Sequence, residues 1–331
     1  MAGNATSFRL GGLALSPDQL PPTRPDNFIQ HDGRPTPTYR DKLRPIPNIR
    51  NAFSVISVYA QTIGVVVAAI WINRSTSSPI AWLAWVIAFV LMGRAHAQFA
   101  SLMHEAAHRL LFSRKKINDF VGNWLLGFPT MTSTPAYRRV HMAHHREEFG
   151  PEEPDIPLYA NYPVSKASVR RKLIRDATGQ TGIKLLSAQM RGLQSPDTRV
   201  RRTLFKMLTV QVVILTLCII AGYPLVYFFM WVLPYLTVWR VINRLRSIAE
   251  HGGLRADSDR RITTHSVRQS AFARFFLVPF NIGWHLAHHV DAGVPFRHLP
   301  AYHRHLRDAG YVTAEIEYPN YWALWRACAS G

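Results

Sequence analysis

The sequence predicts an all-α integral membrane protein: four transmembrane helices in two hairpins, with a cytosolic helical cap that holds a histidine-rich site for two metal ions. Three observations carry this prediction. Hydrophobic residues make up 48% of the 331 positions, yet mean hydropathy is −0.04, so strongly apolar runs must alternate with strongly polar ones. The basic residues are distributed to one side of those runs. Eight of the fifteen histidines fall in three short boxes: HEAAH (His104, His108), HMAHH (His141, His144, His145) and HLAHH (His285, His288, His289).

Residues 1–51 are rich in Pro, Arg and Asp, with neither an apolar core segment nor a charged-then-apolar signal. They read as an irregular cytosolic N-terminal arm. Ala52 to Ile72 carries no charge over 21 residues, enough to cross a hydrocarbon core of about 30 Å at about 1.5 Å per residue. After the polar turn Asn73 to Ser78, the run Pro79 to Gly93 returns and continues through Arg94 and His96 into the first box. The stretch Phe120 to Met131 is too short and too broken by Gly and Pro to span, and reads as interfacial. The second box is followed by the acidic run Glu147 to Asp155, then by KASVRRKLIR and GIKLLSAQMRG, basic amphipathic segments for the membrane surface. Met207 to Gly222 and Pro224 to Trp239 form the second hairpin, and the polar remainder holds Glu250, His251 and the third box. The expected organisation is thus an arm (1–51), a membrane domain with its boxes (52–306) and a cytosolic C-terminal tail (307–331).

The charge distribution supports this topology. A net charge of +19 would point to nucleic acid in a soluble protein, but no nucleic-acid motif is present and the charge brackets the apolar runs. Anionic lipid headgroups are the expected counter-surface, and nucleic acid is not an expected partner. Of the 39 Lys and Arg residues, all but Arg74 fall on one side. The positive-inside tendency places both termini and all three boxes in the cytosol of a multi-pass protein, at the plasma membrane if the source is bacterial. The two cysteines, Cys218 and Cys328, exclude a disulfide framework and a cysteine metal site.

In a helix, side chains at i, i+3 and i+4 share a face, so each box presents its imidazoles in one direction. Neutral imidazole is a ligand for iron, zinc, copper or nickel. One zinc ion closes with four ligands, or keeps three and a water, so eight rings point to two ions. HEAAH alone also fits a zinc protease, with His104 and His108 as ligands and Glu105 as base, but that reading leaves HMAHH and HLAHH without a purpose. A metal transporter, the third reading, would place its ligands within the spans. Glu105 and Glu250 each adjoin a box histidine, either as carboxylates that orient imidazole rings or as ordinary helix-face charges. Asp155 and Asp291 read as partners for arginine, and Trp284 as packing. His96 lies two turns before His104, outside the box spacing. His31, His265, His298, His303 and His305 read as ordinary hydrogen-bonded rings, the last three with a role in closing the cap.

Together, HEAAH, HMAHH and HLAHH on two membrane hairpins resemble the membrane fatty acid desaturase superfamily, with its H-x-x-x-H, H-x-x-H-H and H-x-x-H-H boxes. The resemblance covers Ala52 to about Leu306 and includes the sequences HEAAHRLLFSRKKINDFVGNWL, REEFGPEEPD and HLAHHVDAGVPFRHLPAYHRHL. It implies a further ligand, His251 of IAEHGG, making nine: His104, His108, His141, His144, His145, His251, His285, His288 and His289. In the family's acyl-CoA branch an Asn four residues before that histidine holds metal through a water. Here the position is Ser247, and Asn243, two turns before His251, is not counted as a ligand.

The resemblance further implies a di-iron centre of two Fe ions, O2 as co-substrate, and a double bond introduced into a fatty acyl or related lipid chain. The alternative outcome of the same ligand set is a hydroxylase or ketolase of a lipid, alkane, carotenoid or small metabolite. The sequence contains no H-P-G-G haem segment, dinucleotide fingerprint or cysteine set for an iron-sulfur cluster. The electrons are therefore expected from an external donor, a ferredoxin or a cytochrome b5-like carrier with its reductase. The basic groups Arg170 to Lys172 and Arg199 to Arg202 are candidate docking points for it, or for lipid headgroups.

Overall fold

A computed structural model of the chain describes residues 8–150, 153 and 155–331. The first seven residues of the expected arm, and Pro151, Glu152 and Pro154 of the acidic run, lie outside the described residues. The chain forms two compact units: Ile46–Arg138 with Lys172–Asn243, and the residues up to Pro45 with Arg139–Arg171 and Arg244–Gly331.

The first unit carries helices long and apolar enough to cross a membrane: Asn48–Ser75, Ser78–Ala107, Thr198–Ile220, and Pro224–His251, whose last residues pass into the second unit. Each extends beyond its uncharged run, because hydrogen bonding continues into polar residues until a capping signal stops it. The second begins with Pro79 in its first turn, where the missing N–H costs nothing. The third begins at Thr198, since the Asp197 carboxylate accepts from the Arg199 N–H at 2.8 Å. The basic residues Arg199 to Lys206 are therefore its first turns. Gly222, at φ +82°, makes the tight turn into the fourth helix.

The fourth helix is irregular. Its turn at Tyr227–Val232 is π-helical, just before Pro234, which has no N–H to give the carbonyl one turn back, and Thr237 leaves helical geometry (φ −120°, ψ −84°). Regular helix resumes at Val238 and runs to His251, well past the expected end at Trp239. The second and fourth helices meet closely at Gly93, where an added Cβ would lie 2.2 Å from the Val238 side chain.

The interfacial stretch is helical throughout: Lys115–Phe120, a π-helical Val121–Gly127 and a 3₁₀ turn Phe128–Thr130. Its unpaired carbonyls are capped by side chains from the spanning helices. Gln211 donates to Phe128 and Pro129 carbonyls at 2.6 and 3.0 Å, Trp231 to Pro129 at 3.0 Å, and Tyr59 to Leu125 at 2.6 Å. Irregular backbone inside a bundle requires such donors, which accounts for a glutamine in an otherwise apolar run. The basic segments form the helices Lys166–Ala177 and Gln180–Met190.

The second unit contains the helices His285–Val290, Leu299–Asp308 and Tyr321–Cys328, with a short parallel pair, Ser266–Val267 beside Glu317–Tyr318. The arm carries a short helix, Pro37–Leu43, and is tied to this unit. Arg40 grips Asp291 with two bonds of 2.6 and 3.1 Å, and the Tyr302 hydroxyl donates to the Gly33 carbonyl at 2.7 Å.

Candidate metal centre

The first box ends the second spanning helix. Arg109 takes the left-handed conformation (φ +61°), its N–H bonds the Ala106 carbonyl at 3.0 Å, and the Leu110 N–H bonds the Glu105 carbonyl at 3.1 Å. This is a Schellman stop, built without glycine. Arg138 adds donors to the carbonyls of Ala107 and Ala106 at 2.7 and 2.9 Å and meets Asp119 at 2.5 Å. The stop leaves His104 and His108 one turn apart on one face, their ring centroids 4.8 Å apart.

In the second unit, seven rings from three helical segments converge. His141, His144 and His145 come from the helix Thr134–Arg146, His251 from the last turn of Val238–His251, and His285, His288 and His289 from His285–Val290. The Nε2 atoms of His145 and His141 stand 3.1 Å apart, those of His145 and His288 3.0 Å, and those of His251 and His285 3.0 Å. Ligand atoms of His141, His145 and His288 lie within 4.8 Å of one another, and those of His144, His251 and His289 form a second such group.

The opposite ring nitrogens of three of these histidines are fixed by the protein. His289 Nδ1 meets the Glu148 carboxylate at 2.5 Å, His144 Nδ1 meets Glu153, and His251 Nδ1 donates to the Thr263 carbonyl at 2.8 Å. His285 Nδ1 lies 3.6 Å from Glu250, which is paired with Arg246 at 2.5 Å. A proton held on Nδ1 leaves Nε2 with a free lone pair, the arrangement by which carboxylates orient metal-binding imidazoles. Burial, with the neighbouring imidazoles, holds His285 and His289 well below the ordinary histidine range, so both rings are neutral. At His144 burial also lowers the pKa, but the hydrogen bond and charge of Glu153, with Glu148 and Asp155, more than offset it and hold the imidazole above its usual value. Burial pushes the Glu148 carboxyl up, against the opposing charge of Arg260.

This donor set fits metal. The His289 Nε2 is buried with no hydrogen-bond partner among the described residues, a cost that a ligated ion removes. Metal–nitrogen bonds of about 2.1 Å place neighbouring ligand nitrogens roughly 3 Å apart, the spacing of the Nε2 pairs.

Of the remaining sequence candidates, Glu105 is buried in the second spanning helix, and Glu250 pairs with Arg246 at 2.5 Å and stands 3.6 Å from His285 Nδ1, beyond hydrogen-bond distance. Asp291 pairs with Arg40, while the Asp155 carboxyl is pushed up by burial and drawn down by His144. His96 bonds the Trp231 carbonyl at 3.0 Å, His265 that of Gly252 at 2.8 Å, and His303 Glu317 at 2.9 Å. His298 lies 3.3 Å from the Pro45 carbonyl, His305 stacks on Phe28, and His31 is exposed. Asn243 and Ser247 share the helix that ends in His251. Sequence reasoning passed over Glu148 and Glu153 as members of an acidic run. Their signal was position, four residues after His144 and nine after it, inside the stretch that follows the second box. The Thr263 carbonyl, a backbone atom brought in by folding, had no signal.

Among the described residues, four helices long and apolar enough to cross a membrane, and a convergent histidine cluster with carboxylate support that could hold metal, define an integral membrane protein with a candidate metal centre. The family FA_desaturase, fatty acid desaturase, matches residues 80–324, and the chain belongs to that family, whose members are desaturase- and hydroxylase-type oxidoreductases. It is also similar to the dihydrorhizobitoxine desaturase of Bradyrhizobium elkanii, with 23% identity over 287 residues, covering 82% of this chain and 79% of that protein.

Proposed function

We propose that the protein is an O2-dependent di-iron desaturase that introduces a double bond into a fatty acyl or related lipid chain, using electrons from an external carrier. The observation that carries the reading is the grouping of the buried and half-buried rings into two sets. His141, His145 and His288 form one, and the family resemblance assigns His104 and His108 of the first box as further ligands. His144, His251 and His289 form the other, with His285 joining through its 3.0 Å approach to His251. Iron ions held there supply O2 activation and the redox change that zinc lacks.

The chain's own residues prepare the site. Glu148, Glu153 and the Thr263 carbonyl fix ring orientation from the Nδ1 side. Burial keeps His285 and His289 in the unprotonated form that ligation requires. A zinc protease built on His104, Glu105 and His108 has no use for the seven-ring cluster. The one-sided distribution of basic residues supports cytosolic termini and boxes, and Arg170 to Lys172 and Arg199 to Arg202 are suited to an acidic ferredoxin or cytochrome b5-like donor.

The test is mass spectrometry of host cells expressing wild type or His288→Ala, reading both lipid and polar extracts because the similar protein is named for dihydrorhizobitoxine. A product lacking two hydrogens, formed by the wild type alone, is the expected result. A product with one added oxygen makes the protein a hydroxylase. Purified protein that carries zinc and no iron, with activity intact in His288→Ala, overturns the proposal.

A further inference from the structure

The two membrane hairpins enclose an apolar crevice that the metal centre does not use. Its volume is about 560 Å³, and its walls include Val66 and Ile70 of the first helix, Ile214 and Leu217 of the third, and Val226 and Met230 of the fourth. Water gains nothing there. Tyr59 and Trp231 have given their donors to the Leu125 and Pro129 carbonyls, Thr62 to Val58 at 2.7 Å, and Tyr227 to Gln211 at 3.2 Å. A site of this size with a lining so nearly all apolar takes hydrocarbon. Between Tyr59 and Ile70 the wall runs eleven residues, about 16 Å at about 1.5 Å per residue, close to the depth of one leaflet of a core about 30 Å thick.

The two ends differ. On the side of the first box its lining is aromatic: Phe99 packs edge-on to Tyr59 at 5.1 Å and to Trp231 at 5.6 Å. At the other end Tyr223 lines both this crevice and a second cavity of about 770 Å³ bordered by Asn73, Trp82 and Trp85. The Arg74 guanidinium sits over the Tyr223 ring, 5.4 Å from its centroid. Arg74 is the single basic residue in the hairpin loops, and the sequence has no Asp or Glu between Asp41 and Glu105 or between Asp197 and Glu250. Its counter-ion must come from outside the hairpins, and tryptophans at this level mark the membrane interface.

We infer that the crevice is a binding site for one glycerophospholipid of the leaflet opposite the first box, with an acyl chain between the hairpins and the phosphate at Arg74. The site does not depend on the metal centre or on the proposed reaction.

The experiment uses the full chain, purified in mild detergent and then reconstituted into nanodiscs of mixed phosphatidylglycerol and phosphatidylcholine. Retained lipid is identified by mass spectrometry, and spin-labelled versions of the two lipids report the immobilised fraction. The wild type should retain phospholipid and immobilise phosphatidylglycerol preferentially. Arg74→Gln should lower that preference about fivefold, the worth of about one cationic side chain near a membrane surface. Ile214→Trp, which fills the crevice, should abolish immobilisation, whereas Val86→Trp, on an exposed face outside both cavities, should change nothing. Wild-type behaviour in both Arg74→Gln and Ile214→Trp overturns the inference. So does recovery of a retained molecule without phosphate, or loss in Ile214→Trp with an unchanged preference in Arg74→Gln. If Ile214→Trp does not fold, the lipid preference of Arg74→Gln decides alone.

Discussion

Replacing Glu148 by glutamine keeps the shape of a side chain on which the second unit's candidate metal site turns, and removes its charge. One carboxylate oxygen accepts from His289 Nδ1 at 2.5 Å and from Arg260 at 2.6 Å, and Thr264 lies 3.4 Å from the other. An amide oxygen can still accept, but both bonds lose their charge assistance, which halves the strength of such bonds to a first approximation. With charged hydrogen bonds worth about 1.5–3 kcal/mol each, the expected loss of stability is about 2 kcal/mol. The larger effect is on metal. His289 is no longer held with its proton on Nδ1, and loss of an orienting carboxylate lowers metal affinity about 10–100-fold. Iron titration of the folded, purified variant measures this directly, with Glu147→Gln, at an exposed neighbouring position, as the control. A Glu148→Gln protein that binds iron as tightly as wild type would refute the orienting role and the assignment of His289 Nε2 as a ligand.

Two further outcomes test the fold around the site. Gly93→Val places a Cβ where the Val238 side chain already stands, 2.2 Å away, and should destabilise the hairpins by about 1–3 kcal/mol as overpacking, read as a lower midpoint of thermal unfolding in detergent; an unchanged midpoint means the second and fourth helices are not in contact there. Glu317 is buried, which raises its pKa, but hydrogen bonds from His303 at 2.9 Å and Arg307 at 2.5 Å pull it down to about 2. A carboxyl depressed in the folded state contributes stability above its unfolded pKa and loses it as pH falls through the folded value. Stability should therefore drop between about pH 5 and pH 2 by about 2 kcal/mol, discounted for the exposure of Arg307. In Glu317→Gln that pH dependence should flatten, as denaturation at a series of pH values would show.

The four spans and the three boxes were legible because each is a local pattern. An uncharged run such as Ala52 to Ile72 reports its own partition into hydrocarbon, and H-x-x-H-H on a helix points its rings one way without help from the rest of the chain. The ends of the spans were less legible. Thr198 begins the third helix through the Asp197 cap, and the fourth continues past Thr237 to carry His251, because hydrogen bonding and capping ignore the polarity boundary that hydropathy detects. Gln211 and Trp231 read only as residues of apolar runs until the Phe128 and Pro129 carbonyls that they cap were placed beside them. Glu148 and Glu153 read as acid in an acidic run, since nothing local distinguishes a carboxylate facing water from one facing an imidazole 141 residues away in the chain. The sequence by itself determined a membrane protein with nine candidate ligand histidines. Only the tertiary structure decided which rings of the second and third boxes stand together and which groups hold them, because those distances join residues far apart in sequence and depend on packing that no local pattern encodes.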